Sequence, residues 1–324
     1  MKRFALALLS LLALPASAHH GVAGIGAAAL RGPGAPLEAA TSTVLPEGRA
    51  LAYFKLDDAR FKTYDPAAPE ADRSRFTMLG LGYGFTPWFS AYAFVPHHEK
   101  RDESGGQNSR GVADVSLLGQ VGFKYDQGFR LIPANESLDD LDDWHFSLFA
   151  GGTLPTGDAN RRLGDGSIDP GKSPGFGKPS RLFGLSASRM LGDRLTFSGE
   201  ASILRFSEFT YDDGQRMRFG DESRFNLALA YRAFTDPERK FRLDPVLELQ
   251  YLGLGRDQEN GAGASATGGR IVYALPGVRI YWQDMSFALG VKKPVWTRLN
   301  ESAGQQGAEG KENWRLIFSA SLLF

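Results

Sequence analysis

The chain has no cysteine, no excess of charge of either sign, and no long apolar run free of glycine and proline. The first absence excludes disulfides and suits a polypeptide that crosses an oxidising periplasm unfolded. The second, 37 basic residues against 37 acidic, gives no support for nucleic-acid binding, which needs a clustered basic surface. The third, with a mean hydropathy of −0.26 over 324 residues, excludes a helical membrane protein. Phe76–His98 is uncharged and long enough to span, but Gly80, Gly82 and Gly84 at period two and the break at Thr86-Pro87 make it a β-hairpin. Phosphate-cradling and dinucleotide-binding glycine patterns are also missing, and no nucleophile is spaced to any of the five histidines in a recognisable pattern. The expectation is a protein that is not an enzyme.

What is present is alternation. In the last eleven residues Trp314, Leu316, Phe318, Ala320, Leu322 and Phe324 share one face of a strand, while Arg315, Ser319 and Ser321 share the other. Such a strand separates lipid from a wet lumen. Its aromatic end, Phe318 and Phe324, resembles the C-terminal assembly signal of bacterial outer-membrane β-barrels, which implies the barrel-assembly machinery and outer-membrane lipid as partners. At the other end Lys2-Arg3, the short apolar run Phe4–Leu14 and Ala16-Ser17-Ala18 form an export signal over residues 1–18. The mature chain then begins at His19 in a Gly/Ala/Pro-rich segment, 19–47, that is either a periplasmic linker or a small-residue plug in the lumen.

Alternating segments bounded by turn residues predict a transmembrane antiparallel β-barrel over residues 48–324, with about twelve strands in the bacterial outer membrane. They lie near 48–56, 73–85, 88–95, 112–125, 144–153, 181–190, 195–206, 223–234, 241–254, 270–282, 285–295 and 312–324. Short periplasmic turns alternate with long external loops, except at 126–143, where an insertion ending in the acidic run Asp139–Asp143 replaces a turn. The third strand is ambiguous, and the tenth changes phase at Pro276-Gly277, as a bulge would require. A soluble sandwich is disfavoured, because apolar outer faces on nearly every strand would aggregate in water.

Parity places Asp114, Lys124, His145, Glu200, Arg224, Arg232, Arg242, Asp244, Glu248, Lys292 and Arg315 on the lumen wall. Buried charges are costly unless paired, so Arg224 or Arg232 is expected to meet Asp244 or Glu248 across neighbouring strands.

Two motifs carry a family resemblance. Gly111-Val-Ala-Asp-Val-Ser-Leu117, with Ala113 in place of a second glycine, and Leu154-Pro-Thr-Gly-Asp158 resemble the Gly-x-Gly-Asp strand and the Leu-Pro-Thr-Gly-Asp turn of the outer-membrane family named for the MetA pathway of phenol degradation. More distantly the chain is similar to FadL-type hydrocarbon channels. The resemblance spans about residues 45–324 and implies passive transport of small molecules, aromatic or otherwise hydrophobic. Two alternatives stay open: a metal-linked binding protein, in which the free amino group and imidazoles of His19 and His20 hold Cu(II), and a structural barrel whose loops bind partners.

Overall fold

The computed structural model describes residues 35–61, 71–102, 108–134, 136, 141–265, 267–300 and 312–324. Twelve antiparallel strands close on themselves: β1 Ala50–Phe61, β2 Ala71–Thr86, β3 Phe89–Asp102, β4 in two pieces, Ser109–Val112 and Val115–Tyr125, β5 Trp144–Leu154, β6 Arg181–Leu191, β7 Leu195–Arg205, β8 Glu222–Tyr231, β9 Phe241–Leu254, β10 Gly269–Trp282, β11 Met285–Leu299 and β12 Glu312–Leu323. Each strand pairs with its sequence neighbours, and β12 pairs with β1 from Leu51↔Leu323 to Arg60↔Trp314, so the ring of twelve strands is closed. Leu79, Leu81, Leu148, Phe183, Leu185, Phe225, Leu227, Leu247 and Leu249 project outward and exposed. An apolar exterior around a closed ring of strands is stable only in lipid, and the protein is a bacterial outer-membrane β-barrel.

All twelve predicted strands are present, and several run further outward than their alternation shows; β3, for example, continues to Asp102 and β11 to Leu299. The third strand settles as Ser90, Tyr92 and Phe94 inward against Ala93 and Val95 outward. The period-two glycines of β2 face inward opposite these rings. A Cβ on Gly82 would stand 2.5 Å from the Tyr92 ring, so the stripe exists to admit large neighbours.

Several irregularities fall where parity reading did not put them. β10 does not change phase: Ile271, Tyr273, Leu275 and Arg279 are all buried on its inner face. The apparent break arose because this stretch of wall is apolar on both faces. The change of phase is instead in β4, where Ala113-Asp114 interrupt the pairing and turn Asp114 inward. Two further register shifts occur in β11, where Val295 is skipped opposite Val272/Tyr273, and in β12, where skipping Asn313 brings Glu312 inside.

The insertion after β4 folds back on the barrel. Phe129–Leu131 pairs with Phe123–Tyr125, and Ile132 and Leu141 are buried. Of the acidic run, Asp142 and Asp143 lie near the surface, while Asp139 and Asp140 fall outside the described residues. The segment 1–34, with the export signal and His19-His20, also lies outside them.

Candidate functional site: the lumen and the arch that crosses it

Residues 35–47 enter beside the periplasmic end of β10, rise to mid-depth and return to the start of β1, forming an arch inside the barrel. An irregular buried backbone has no ladder to satisfy it, so each of its polar groups must find a partner on the wall. The Ala35 N–H donates to Tyr281 Oη at 3.3 Å, and the Pro36 carbonyl accepts from Arg279. The Glu248 carboxylate accepts three successive N–H groups, those of Leu37, Glu38 (3.0 Å) and Ala39 (3.3 Å). Glu200 accepts from Ala40 N at 2.7 Å, Gln120 Nε2 donates to the Thr41 carbonyl at 2.8 Å, and Leu45 N donates to Ser90 Oγ at 2.8 Å.

One side chain of the arch is charged against the wall. The Glu38 carboxylate lies 2.6 Å from Lys55 Nζ on β1 and 2.9 Å from Lys292 Nζ on β11, with all three side chains buried. Lys292 also stands 4.5 Å above the Tyr273 ring. The arch is seated by shape as well. Leu37 packs with Val246, Leu275 and Ile317, and Pro46 fills the space that a side chain at Gly84 would occupy.

The wall itself is two-sided. On β8, β9, β12 and β1 it carries charge pairs: Glu222 with Arg224 at 2.5 Å, Asp244 with Arg242 at 2.6 Å, and Arg315 with Glu312 at 2.8 Å and with Asp57 at 3.2 Å, with the largely apolar inner face of β10 between them. From β2 to β7 a lane of Met78, Tyr92, Phe94, Leu118, Phe149, Leu182 and Leu204 joins Leu45 of the arch to Phe206, Phe219 and Tyr211 of the external loops. Burial pushes the Tyr211 phenol up, so it enters that lane as a neutral ring.

The parity-predicted wall residues fall into distinct roles. Glu200 and Glu248 hold the arch backbone and Lys292 holds its carboxylate. Lys124 and His145 do neither: Lys124 contacts Glu136 at 2.7 Å and Asp143 at 3.2 Å, and His145 meets Glu136 at 3.0 Å, which ties the 126–143 insertion to the periplasmic mouth. Arg232 lies just past β8 at the same end. The expected cross-strand pairing of Arg224 or Arg232 with Asp244 or Glu248 is not the arrangement found. Arg224 stands opposite Leu252 and takes Glu222, two positions along its own strand on the same face, and Asp244 takes Arg242 likewise. Arg242→Glu would set two carboxylates side by side near the inner mouth, so ion selectivity measured by reversal potential should move toward cations.

Parity missed Glu38, Lys55, Asp57, Arg279 and Glu312. Lys55 and Asp57 continue the inward set of Leu51 and Tyr53, and following β1 to its outer end finds them. Glu38 is the one acidic residue between His19 and Pro46, in a stretch of mostly small and apolar residues whose one arginine or lysine is Arg31.

The two family-like motifs meet in space. Asp114 accepts from Gly157 N at 2.8 Å and from Phe176 N at 2.9 Å, while Thr156 Oγ1 accepts from Val115 N at 2.9 Å. Asp114, expected on the lumen wall, thus pins both ends of the long external loop after β5. Asp114→Ala removes the acceptor of both part-buried N–H groups, at up to about 1 to 3 kcal/mol. External protease should then cut within 154–178 on intact cells much faster than in the parent; equal cutting would show that the loop is held elsewhere.

No protein-family model matches the chain, and no curated protein matches its sequence, so the motif resemblance stands without a family behind it. Solved structures do match. The barrel is similar to an outer-membrane channel from Pseudomonas putida F1, with a TM-score of 0.67 and 14% identity over 87% of this chain and 98% of that one. Looser likenesses are to the NanC porin (TM-score 0.45, 10% identity, 83% of this chain and 98% of that one) and to a mutant of the TodX monoaromatic hydrocarbon channel (TM-score 0.43, 12% identity, 94% and 96%). At 14% identity the first of these likenesses speaks for the fold alone. Among the described residues no group of three or more His, Asp or Glu is placed to hold a metal ion.

Proposed function

We propose that this barrel is an outer-membrane channel for the passive passage of small, partly apolar molecules, with the arch as its gate. The observation that carries the reading is the two-sided lumen crossed by a non-covalently held strap. A wall with rings and aliphatics on one side and paired charges of both signs on the other suits a solute with an apolar body and a polar edge, such as a substituted aromatic. Charge pairing along the wall leaves little net field, so width and apolarity, more than charge sign, should select. The resemblance of the strand and turn motifs to an aromatic-degradation family points to the same solute class.

The test is transport by the reconstituted protein. A membrane-impermeant aromatic such as benzenesulfonate should enter proteoliposomes faster than a sugar of similar width, and faster again when residues 19–47 are removed. If neither form passes ions or either solute, the channel reading is wrong.

A further inference from the structure

Opposed arginines recur at the external rim of a chain that is neutral overall, with Arg181 opposite Arg205 and Arg270 opposite Arg298, and they are most numerous on β1 to β4. At the external ends of β1 to β4 the outward positions form two rows. In the upper row Arg60 stands opposite Arg73, and Arg73 opposite Arg101. In the lower row Asp58 stands opposite Arg75, Arg75 opposite Glu99, and Glu99 opposite Arg110. Among the described residues, five guanidiniums share two carboxylates: Asp58, bonded by Arg73 and 3.5 Å from Arg75, and Glu99, 2.6 Å from Arg101. Trp314 stands level with the upper row, opposite Arg60, and the apolar band begins below, with exposed Val112 beneath Arg110. Like charges set directly opposite on a sheet destabilise it, and an anion bound between such arginines relieves that cost. In the periplasmic turns Arg130 closes on Asp126 at 2.6 Å and Arg239 lies 3.7 Å from Asp236.

We propose that the outward arginine rows of β1–β4 dock the phosphorylated saccharide headgroup of lipopolysaccharide in the outer leaflet. Three features select this partner. The cluster sits where acyl chains give way to headgroups, so its ligand is a lipid. The excess is cationic, so the headgroup is anionic. Every cation in it is arginine, whose planar fork binds phosphate oxygens two at a time, and phosphates spaced on a rigid sugar core match guanidiniums spaced across neighbouring strands. Trp314 supplies the amphipathic ring at the same level. This inference rests on membrane orientation alone and stands or falls apart from the channel reading.

The test uses the full-length barrel, delipidated in detergent, with native mass spectrometry reading bound lipid. Bisphosphorylated lipid A should bind the parent protein, and the same lipid A stripped of phosphate should bind about tenfold more weakly or worse, the loss of one or two charge-assisted bonds. Arg60→Gln combined with Arg101→Gln, which leaves the Asp58–Arg73 pair intact, should weaken binding of the phosphorylated lipid by a similar factor and leave the stripped lipid unaffected. Heat-modifiable migration checks that the variant folds. Equal binding of the two lipids by the parent would overturn the proposal without any variant, since the contact would then be to sugar or acyl chain. Unchanged affinity in a folded double variant would place the phosphate elsewhere on the surface.

Discussion

Replacing Glu38 by lysine should release the arch and raise the single-channel conductance of the reconstituted barrel several-fold. The parent carboxylate lies between two buried ammonium groups at 2.6 and 2.9 Å. Removing one side of a buried ion pair costs about 3 to 5 kcal/mol, and lysine adds a third cation to the two already there. That is enough to lower the ratio of docked to free arch by about a hundredfold or more, since each 1.4 kcal/mol is about tenfold. The wall residues are untouched, so the barrel itself should fold and show its usual heat-modifiable migration. Removing residues 19–47 altogether should give the same open conductance, because the remaining anchors all lie on the arch. Glu248→Gln should act in the same direction but less strongly: the neutral amide still accepts hydrogen bonds, though more weakly than the carboxylate that now takes three N–H groups. Low conductance in both Glu38→Lys and the deletion would mean that the arch is not what limits flow.

The second large effect should come from the last residue. Phe324 closes the seam: its N–H donates to the Ala50 carbonyl at 2.9 Å and its carbonyl accepts from Ala50 N at 2.8 Å, while its ring lies exposed on the lipid face. Deleting it removes both bonds and the ring, and the amount of folded, heat-modifiable barrel in the membrane should fall sharply. Phe324→Asp separates two causes. It keeps the backbone pair, and an acidic side chain near the interface costs the folded barrel only about 1 kcal/mol or less. A large loss of membrane-inserted barrel from this substitution therefore reports recognition of the terminal aromatic during assembly rather than lost stability. Parent levels after Phe324→Asp would reduce the terminal strand to a structural closure.

The sequence was most legible where physics imposes a strict period. Lipid on one side of every strand forces alternation, so β5, β7, β8, β9 and β12 could be read residue by residue, and the closed barrel followed from their number and spacing. The same rule put Glu200, Arg242, Asp244, Glu248, Lys292 and Arg315 on the inner wall. Legibility fails where the inner face has a reason to be apolar: on β10 Leu275 packs with Leu37 of the arch, and Ile271 and Tyr273 pack with Leu252, Leu254 and Leu299, so alternation of polarity vanishes although alternation of direction persists. It fails again at single-residue slips, such as Ala113-Asp114 and Asn313, because skipping one residue reverses parity for everything beyond it.

What the sequence determined by itself, then, is the barrel, its membrane and its orientation, since alternating apolar residues, short turns on one side and long loops on the other are local properties of the chain. Only the tertiary structure decided which inward residues matter. Whether residues 35–47 lie in the lumen depends on groups more than two hundred positions away, with Glu38 reaching Lys292 and Leu37 reaching Glu248. Partners of that kind carry no period and no spacing. They are set by which strands the closed ring brings face to face across its interior, and that is fixed only once β12 has paired with β1.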